Sequence, residues 1–587
     1  MTQRILVAVA WPYANGDLHV GHLAGAYLPA DIFARYHRLA GDEVLMVSGS
    51  DSHGTPITVH AEQEGVTPRE IFRRYHRRFV ETQKAIGISY DLFTHTDTPN
   101  HHRVAQDMFL KLWENGYLYL KKQRQFYSET LRRFLPDRYV EGTCPYCGYT
   151  EARGDQCDNC GRILDALELK DPRCKIDGST PVVRETEHFF LDLPKLEPQI
   201  LAYLEADKEH WRPNVIKFSR NYVKGGLRGR PITRDIEWGI PVPLEGYEHK
   251  RLYVWFEAVI GYLSASIEWA SLVGQAEAWK AWWYDPAARS YYFIGKDNIP
   301  FHTVIWPAEL IGAERLYTDE GRFNLPYDVP ANEFMNIQGA QASKSRHWAV
   351  WIPDLLERYD PDAIRFYLTT VMPETSDSDF SWGDFVQRNN GELVAIWGNL
   401  VHRVLSFTAK HYGEVPAPQQ LDARDREMLA LTRSAFDEVG EHLAAAHFRA
   451  ALAAALGLAR EANRYLEVKS PWLHVKEDKA AAGTGLYVAL QVINNLKVML
   501  APFLPFSAEK LHRYLGYEGP LFGEQRIEEV ESGGERYPVL RYDGSAATGR
   551  WAYEELPVGR PLRKPKPLFR KLDPSVAEEE IARLGGR

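Results

Sequence analysis

The spacing of apolar positions changes several times along this chain, and each change marks a part. Ile5 to Ala10 is a continuous apolar run, which predicts a parallel strand buried on both faces. Gly16 marks a turn, and a helical pattern opens at His19 and continues to about Leu39. Asp42 to Gly49 predicts a second strand, and Tyr291 to Gly295 another. The second strand ends in the polar loop Gly49-Ser50-Asp51-Ser52-His53-Gly54-Thr55-Pro56; the later one ends in Lys296-Asp297. Both loops lie at carboxyl ends of strands, where open α/β sheets bind their ligands.

From about Gly116 to Arg230 this alternation breaks. Turn signals such as Asp171-Pro172 and Gly178-Ser179-Thr180-Pro181 mark an inserted module. Ile232 to Pro243 leads back, and Leu252 to Tyr262 resumes the first pattern. Beyond Phe385 the period becomes helical: Phe436, Val439 and Leu443 fall at i, i+3 and i+7, as do Ile493, Leu496 and Leu500. Ala444 to Ala459 suits close helix packing. The last fifty residues are Pro-rich and extended, and end in an amphipathic segment, Ser575 to Leu584. The expected division is therefore a Rossmann-like α/β catalytic domain in two halves (1–115 and 231–325) around an insertion (116–230). A connecting region (326–390), a helical bundle (391–535) and a tail that packs back on the body (536–587) follow. At 587 residues the chain exceeds what a single core can bury, which agrees with several domains.

Composition narrows the class. With 45% hydrophobic and 25% charged residues the chain is that of a folded soluble protein. No apolar run is long enough to span a bilayer, and no targeting segment precedes the first strand, so a cytoplasmic location is expected. The net charge of −9 argues against a globally basic nucleic-acid binder but leaves room for a local basic face. The run Arg560, Arg563, Lys564, Lys566, Arg570 and Lys571 contains no acid; it reads equally well as a solvated tail or an RNA contact.

Two groups of residues carry chemistry. Four of the five cysteines, Cys144, Cys147, Cys157 and Cys160, are spaced C-x2-C-x9-C-x2-C. Two knuckles of this kind close a tetrahedral thiolate site with no open position, which suits one structural Zn2+. Near the N-terminus, Trp11-Pro12-Tyr13-Ala14-Asn15-Gly16-Asp17-Leu18-His19-Val20-Gly21-His22 joins the first strand to the first helix. A helix N-terminus after a strand is an anion site, and His19 and His22 add donors for charge developing on a phosphoryl group. Gly21 lets a nucleotide approach the backbone. About 320 residues later comes Ala342-Ser343-Lys344-Ser345-Arg346.

Together these segments resemble the HIGH and KMSKS signatures of the class I aminoacyl-tRNA synthetases. Over nearly the whole chain the resemblance narrows to the methionyl-tRNA synthetase family, on three features: a set of pocket residues, a cysteine module between the Rossmann halves, and a helix bundle carrying Pro471-Trp472. The resemblance implies a methionine site of Trp11, Tyr13, Asp51, Trp255, Ala258, Tyr262 and His302. It implies ATP contacts at His19, His22, Gly295, Asp297 and Lys344, with Ser343 beside Lys344 in catalysis. It also implies anticodon contacts at Asn399, Arg403 and Trp472. The chemistry agrees: a thioether needs an apolar, aromatic-walled slot, Asp51 can hold an ammonium, and Arg, Asn and Trp can read unstacked bases. The implied activity is a methionine–tRNA ligase, a monomer using L-methionine, ATP with Mg2+, and tRNA(Met) for initiation and elongation. Three rivals fit less well. A small nucleotidyltransferase needs no helix bundle, a regulatory paralogue needs no intact pocket, and a synthetase for an aliphatic amino acid needs a large editing insertion.

The chain departs from the family pattern in places. Ser128, Leu131, Cys174 and Asp177 stand where some relatives hold a second zinc, so that site is expected to be lost. Val259 replaces a common Pro. Gln341 replaces the first Lys of the second signature. A neutral side chain in place of a cation forfeits on the order of 1–2 kcal/mol of transition-state stabilisation, so a slower but active enzyme is expected. Gln341→Lys should then raise the rate of amino-acid activation severalfold in pyrophosphate exchange; an unchanged rate would count against this assignment of the loop.

Overall fold

In the computed structural model the chain is described over residues 2–136, 139–154, 157, 159–160, 164–341 and 348–584. Seven strands form the main sheet: β1 (Arg4–Val9), β2 (Glu43–Ser50), β3 (Leu92–His95), β4 (Arg289–Gly295), β5 (Ala331–Asn332), β6 (Glu524–Ser532) and β7 (Glu535–Asp543), in the order β5-β4-β1-β2-β3-β7-β6. The first five are parallel, with Val7 opposite both Met46 and Tyr291. Ile5 to Val9 are buried, as a strand covered by helices on both faces requires. The chain builds outward from β1 through β2 to β3, then returns to build β4 and β5 on the other side. Strand order therefore reverses between β1 and β4, which opens a crevice at their carboxyl ends.

The helix after β1 is not uniform. Val20–His22 is α-helical, Leu23–Tyr27 is a π-turn, and Leu28–Ala40 is α-helical again up to Gly41, whose φ of 87° ends it. The carbonyl of Ala24 inside the wide turn accepts a hydrogen bond from Asn332 Nδ2 of β5 at 2.9 Å. Such turns cluster at functional sites, and a second one, Phe301–Ile305, follows β4.

The insertion is an antiparallel ribbon, Leu118–Ser128 against Val182–Leu191. At its far end a three-stranded sheet of Val140–Thr143, Ala152–Arg153 and Lys170–Cys174 has a small core of its own. The C-terminal half holds the helices Asn399–His411, Ala423–Ala444, Phe448–Lys469 and Lys479–Leu500. Phe436, Val439, Leu443, Ile493, Leu496 and Leu500 face their shared core.

One part differs from the sequence reading. Residues 524–543, split by periodicity between bundle and tail, are the β-hairpin β6–β7, which extends the Rossmann sheet antiparallel at the β3 edge. β7 buries Tyr537, Val539 and Leu540, while β6 is polar and Glu-rich. Pro538 and the glutamates conceal a strand pattern that only the β3 edge satisfies. Beyond the hairpin, Ser575–Arg583 packs against Trp382–Arg388, and Glu580 receives Arg358 at 2.7 Å.

Three regions meet at one buried guanidinium. Arg365, on Pro361–Thr370, is fully buried, as is Asp31 on the first Rossmann helix, and the two pair at 2.6 Å. Burial alone would raise the Asp31 carboxyl, but Arg35 and Arg365 outweigh it and hold it below its ordinary range. Breaking a buried pair from one side leaves an uncompensated charge. Arg365→Leu should therefore destabilise the protein by about 3–5 kcal/mol and lower the first thermal transition; an unshifted transition would refute the role given to this contact.

Candidate active site

A cavity of about 610 Å³ opens at the crevice between β1 and β4. Its wall includes every residue placed by sequence in the amino-acid site: Trp11, Tyr13, Asp51, Trp255, Ala258, Tyr262 and His302. His19, His22, Gly295 and Asp297 line the same cavity. Three segments converge because the loops after β1 and β2 are zipped together: Asp51 N–H donates to Pro12 O at 2.8 Å, and Ala14 N–H to Asp51 O at 3.0 Å.

His19 caps its helix. Its Nδ1 accepts from Gly21 N–H at 3.1 Å, and His22 Nδ1 accepts from His19 N–H at 3.2 Å. With both Nδ1 atoms accepting, a neutral ring carries its proton on Nε2. The rings stack with centroids 3.7 Å apart. The backbone thus orders two parallel N–H donors at a helix N-terminus.

The apolar slot is built around Trp11, whose indole lies on two glycines. A Cβ at Gly49 would come within 2.1 Å of the Trp11 ring, and one at Gly261 within 2.7 Å. The Trp11 Nε1–H is buried with no acceptor among the described residues. Tyr262 closes the slot beside Trp11, and Trp255 stacks on Phe301 with centroids 4.3 Å apart. His302 Nδ1 lies 3.0 Å from the carbonyl of Asn298 and so carries the proton; its Nε2 accepts from the Tyr262 hydroxyl at 2.8 Å. Burial draws His302 down to about 4, so the ring is neutral. In this arrangement the polar atoms of His302 are already engaged and Tyr262 has no proton left to give.

Behind Asp51 lies a buried network that motif reasoning missed. Glu257 Oε1 meets His53 Nδ1 at 2.8 Å, and Glu257 Oε2 meets His101 Nε2 at 2.7 Å. His53 Nε2 faces Asp97 at 3.6 Å, and Asp97 also receives His102 at 3.3 Å and Arg69 at 3.2 Å. Burial disfavours charge on His53, yet the carboxylates of Glu257 and Asp97 prevail and push it up to about 10. Burial, followed by the charge on Glu257, raises Asp51 well above its ordinary value, against the pull of His53. The polar run Ser50 to Thr55 was the available signal, but Glu257 and His101 reach it only through the fold.

Ser343 and Lys344 lie outside the described residues. Their flanks are anchored beside the histidines: Ala340–Gln341 pairs with Met335–Ile337, and Val20 N–H donates to Val350 O at 3.0 Å.

The cysteine module has the geometry of a closed metal site. Cys144 and Cys160 sulfurs are 4.0 Å apart, and those of Cys147 and Cys157 are 3.6 Å apart. A tetrahedral site with metal–sulfur bonds of about 2.3 Å places its sulfurs about 3.8 Å apart, so the four residues fit a single ion. The backbone N–H of Tyr149 and the Asn159 amide bring the Cys147 thiol down to about 6. Cys174 starts a turn of the same kind, with Gly178 N–H donating to its carbonyl at 2.8 Å. Asp177 stands where a second sulfur would be and is bound by Ser179 N–H at 3.0 Å.

On the bundle, Asn399 and Arg403 are exposed one helical turn apart. The Arg403 guanidinium lies over the Trp472 ring, 4.4 Å from its centroid.

The family model described as tRNA synthetases class I (M) matches residues 5–405, and that for the anticodon binding domain of methionyl tRNA ligase matches residues 415–532. The methionine–tRNA ligase of Thermomicrobium roseum is 60% identical, covering 100% of this chain and 99% of its own. That of Roseiflexus castenholzii is 56% identical with the same coverage. The crystal structure of Mycobacterium tuberculosis methionyl-tRNA synthetase bound by methionyl-adenylate superposes with a TM-score of 0.75 at 25% identity, covering 97% of this chain and 100% of that one.

Because Asp51 is raised, the fraction ionised falls as pH drops toward its pKa, and only the carboxylate pairs with an ammonium. The KM for an amino-acid substrate should therefore rise as the pH is lowered. In Asp51→Asn the KM should be high throughout and lose this slope; a wild-type KM independent of pH would overturn the assignment.

Proposed function

The chain belongs to the methionyl-tRNA synthetases of class I and is a methionine–tRNA ligase, and on that premise we propose how its residues divide the work. The observation that carries the proposal is a single cavity lined by the Asp51 carboxylate, an aromatic slot and two stacked histidines at a helix N-terminus.

Asp51 holds the methionine ammonium, and the side chain enters between Trp11, Trp255, Ala258 and Tyr262, with Tyr13 at the edge. The Tyr262–His302 pair closes the slot with its hydrogen bonds already spent. A polar side chain would lose its water there without replacement, whereas a thioether loses little. Trp11 offers its indole N–H to the bound substrate. ATP lies along the carboxyl ends of β1 and β4, with Gly295 and Asp297 at the nucleoside.

One carboxylate oxygen of methionine attacks the α-phosphorus. The new O–P bond forms as the bond to the bridging oxygen breaks, and pyrophosphate leaves with the electron pair. His19 and His22 donate from Nε2 to the phosphate oxygens, and Lys344 and Ser343 act on the departing pyrophosphate. Mg2+ accompanies ATP and offsets the phosphate charge. Catalysis is positioning and electrostatics rather than covalent chemistry. The terminal ribose of tRNA, through its 2′-hydroxyl, then attacks the acyl carbon; the ester forms as the acyl–phosphate C–O bond breaks, and AMP leaves with that electron pair while its phosphate takes up the hydroxyl proton.

The anticodon is read by Asn399, Arg403 and Trp472, the last held flat by the Arg403 guanidinium. The four cysteines would hold a structural zinc, which would fix the tip of the insertion. We place the enzyme in the cytoplasm as a monomer serving initiation and elongation on tRNA(Met). No helix among the described residues is long and apolar enough to cross a membrane, and the tail helix Ser575–Arg583 packs against Trp382–Arg388 of the same chain.

The test is ATP–pyrophosphate exchange with each of the twenty amino acids. Exchange with methionine alone is expected. No exchange with any of them, in folded and metal-loaded protein, would overturn the proposal.

A further inference from the structure

The helix Pro213–Lys224, near the end of the insertion, carries a surface that the activation chemistry does not use. Phe218 and Tyr222 are 43% and 37% exposed, one turn apart, with near-parallel rings 5.9 Å between centroids and 18° between planes. Isolated exposed aromatics are ordinary; two sharing one helix face among cations are less so. Between Pro213 and Arg230 there are five basic residues, Lys217, Arg220, Lys224, Arg228 and Arg230, and no acidic one. Only Lys224 is in an ion pair with another described residue, Glu205 at 3.0 Å.

This surface runs into the active site. Arg230 reaches the Tyr222 hydroxyl at 3.5 Å, and its guanidinium lies over the ring of Phe301, 5.5 Å from the centroid. Phe301 in turn stacks on Trp255 at the cavity wall. The helix is also fixed to the π-turn that bears His302, because Ser219 Oγ and Thr303 Oγ1 are hydrogen-bonded at 2.9 Å. The result is a continuous series of rings and guanidinium, Phe218–Tyr222–Arg230–Phe301–Trp255, leading from solvent to the cavity.

Stacking platforms beside uncompensated cations are what an unpaired nucleic-acid strand requires, and they bind it with little sequence preference. We propose that this track guides the single-stranded 3′ end of tRNA into the cavity, with bases on Phe218 and Tyr222 and phosphates on Lys217 and Arg228. The proposal rests on the ligase reading above and adds the route by which the second substrate enters. Charge complementarity and continuity with the Trp255–Phe301 stack select this occupant. The track acts at the transfer step and leaves adenylate formation to the groups lining the cavity.

The test is the double variant Phe218→Ala/Tyr222→Ala. Both side chains are exposed, so the substitution opens no core, and circular dichroism checks the fold. Methionine-dependent pyrophosphate exchange should stay within about twofold of wild type. Single-turnover transfer from preformed adenylate, at subsaturating tRNA, should fall by about tenfold or more, as loss of base stacking predicts. Binding of tRNA lacking its unpaired 3′ nucleotides should be unchanged. Wild-type transfer by the variant would overturn the proposal. So would an equal loss of binding for truncated and intact tRNA, since the helix would then touch the duplex stem. Absence of exchange in the unmutated protein would instead overturn the ligase assignment, so the two failures separate.

Discussion

Arg365 is the contact on which the relative placement of catalytic domain and helix bundle depends. Its five N–H donors all find acceptors: Asp31 Oδ2 and the carbonyls of Ile86, Gly87, Pro502 and Phe503. Ile86 and Gly87 close the helix Pro68–Ile86, and Pro502 and Phe503 follow the helix Lys479–Leu500. One guanidinium thereby satisfies the carboxyl-terminal ends of helices from two domains, where orphan carbonyls and the helix dipole favour a cation, and it completes a carboxylate in the Rossmann core. A fully buried charge is tolerable only when every lone pair and proton around it is met. The geometry at this point therefore admits little latitude, and the helix bundle is held to the sheet that carries the cavity.

The same logic, with charges balanced against burial, shapes the active site. Glu257 lies between His53 and His101 and adds its charge to the effect of burial on Asp51, so the carboxylate proposed to hold the ammonium sits on a buried network rather than in open water. The network extends further through the sheet. Ser50, the residue before Asp51, meets His76 Nδ1 at 2.8 Å, and His76 Nε2 meets the Pro538 carbonyl of β7 at 2.7 Å. Tyr537 of the same strand donates to Glu268 at 3.1 Å, and burial pushes that carboxyl up to about 7. The C-terminal hairpin is thus part of the structure that supports the amino-acid loop, although about 490 residues of chain separate them.

Local chemistry explains which features were legible without coordinates. The HxGH segment, the cysteine knuckles and the strand-to-loop transitions each involve groups within about twenty residues, whose spacing fixes their geometry. The structure gathers His19, His22 and the seven residues of the expected amino-acid site at one cavity, while Ser343 and Lys344 fall outside the described residues. The role of His302 was harder to foresee. Its availability depends on the proton position, which Asn298 O and the Tyr262 hydroxyl decide together.

By itself the sequence determined the family, the presence of a helical domain after the Rossmann fold, the four cysteines that cluster and many of the groups lining the cavity, because these follow from short-range spacing and residue chemistry. The tertiary structure alone decided the rest: that 524–543 completes the Rossmann sheet, that Arg365 joins three regions, that Glu257 governs the charge near Asp51, and that Phe218 and Tyr222 lead to Trp255. Each of these pairs residues far apart in the chain. Their energies come from burial, from hydrogen bonds completed only on packing and from charges removed from water, none of which is a property of either segment alone.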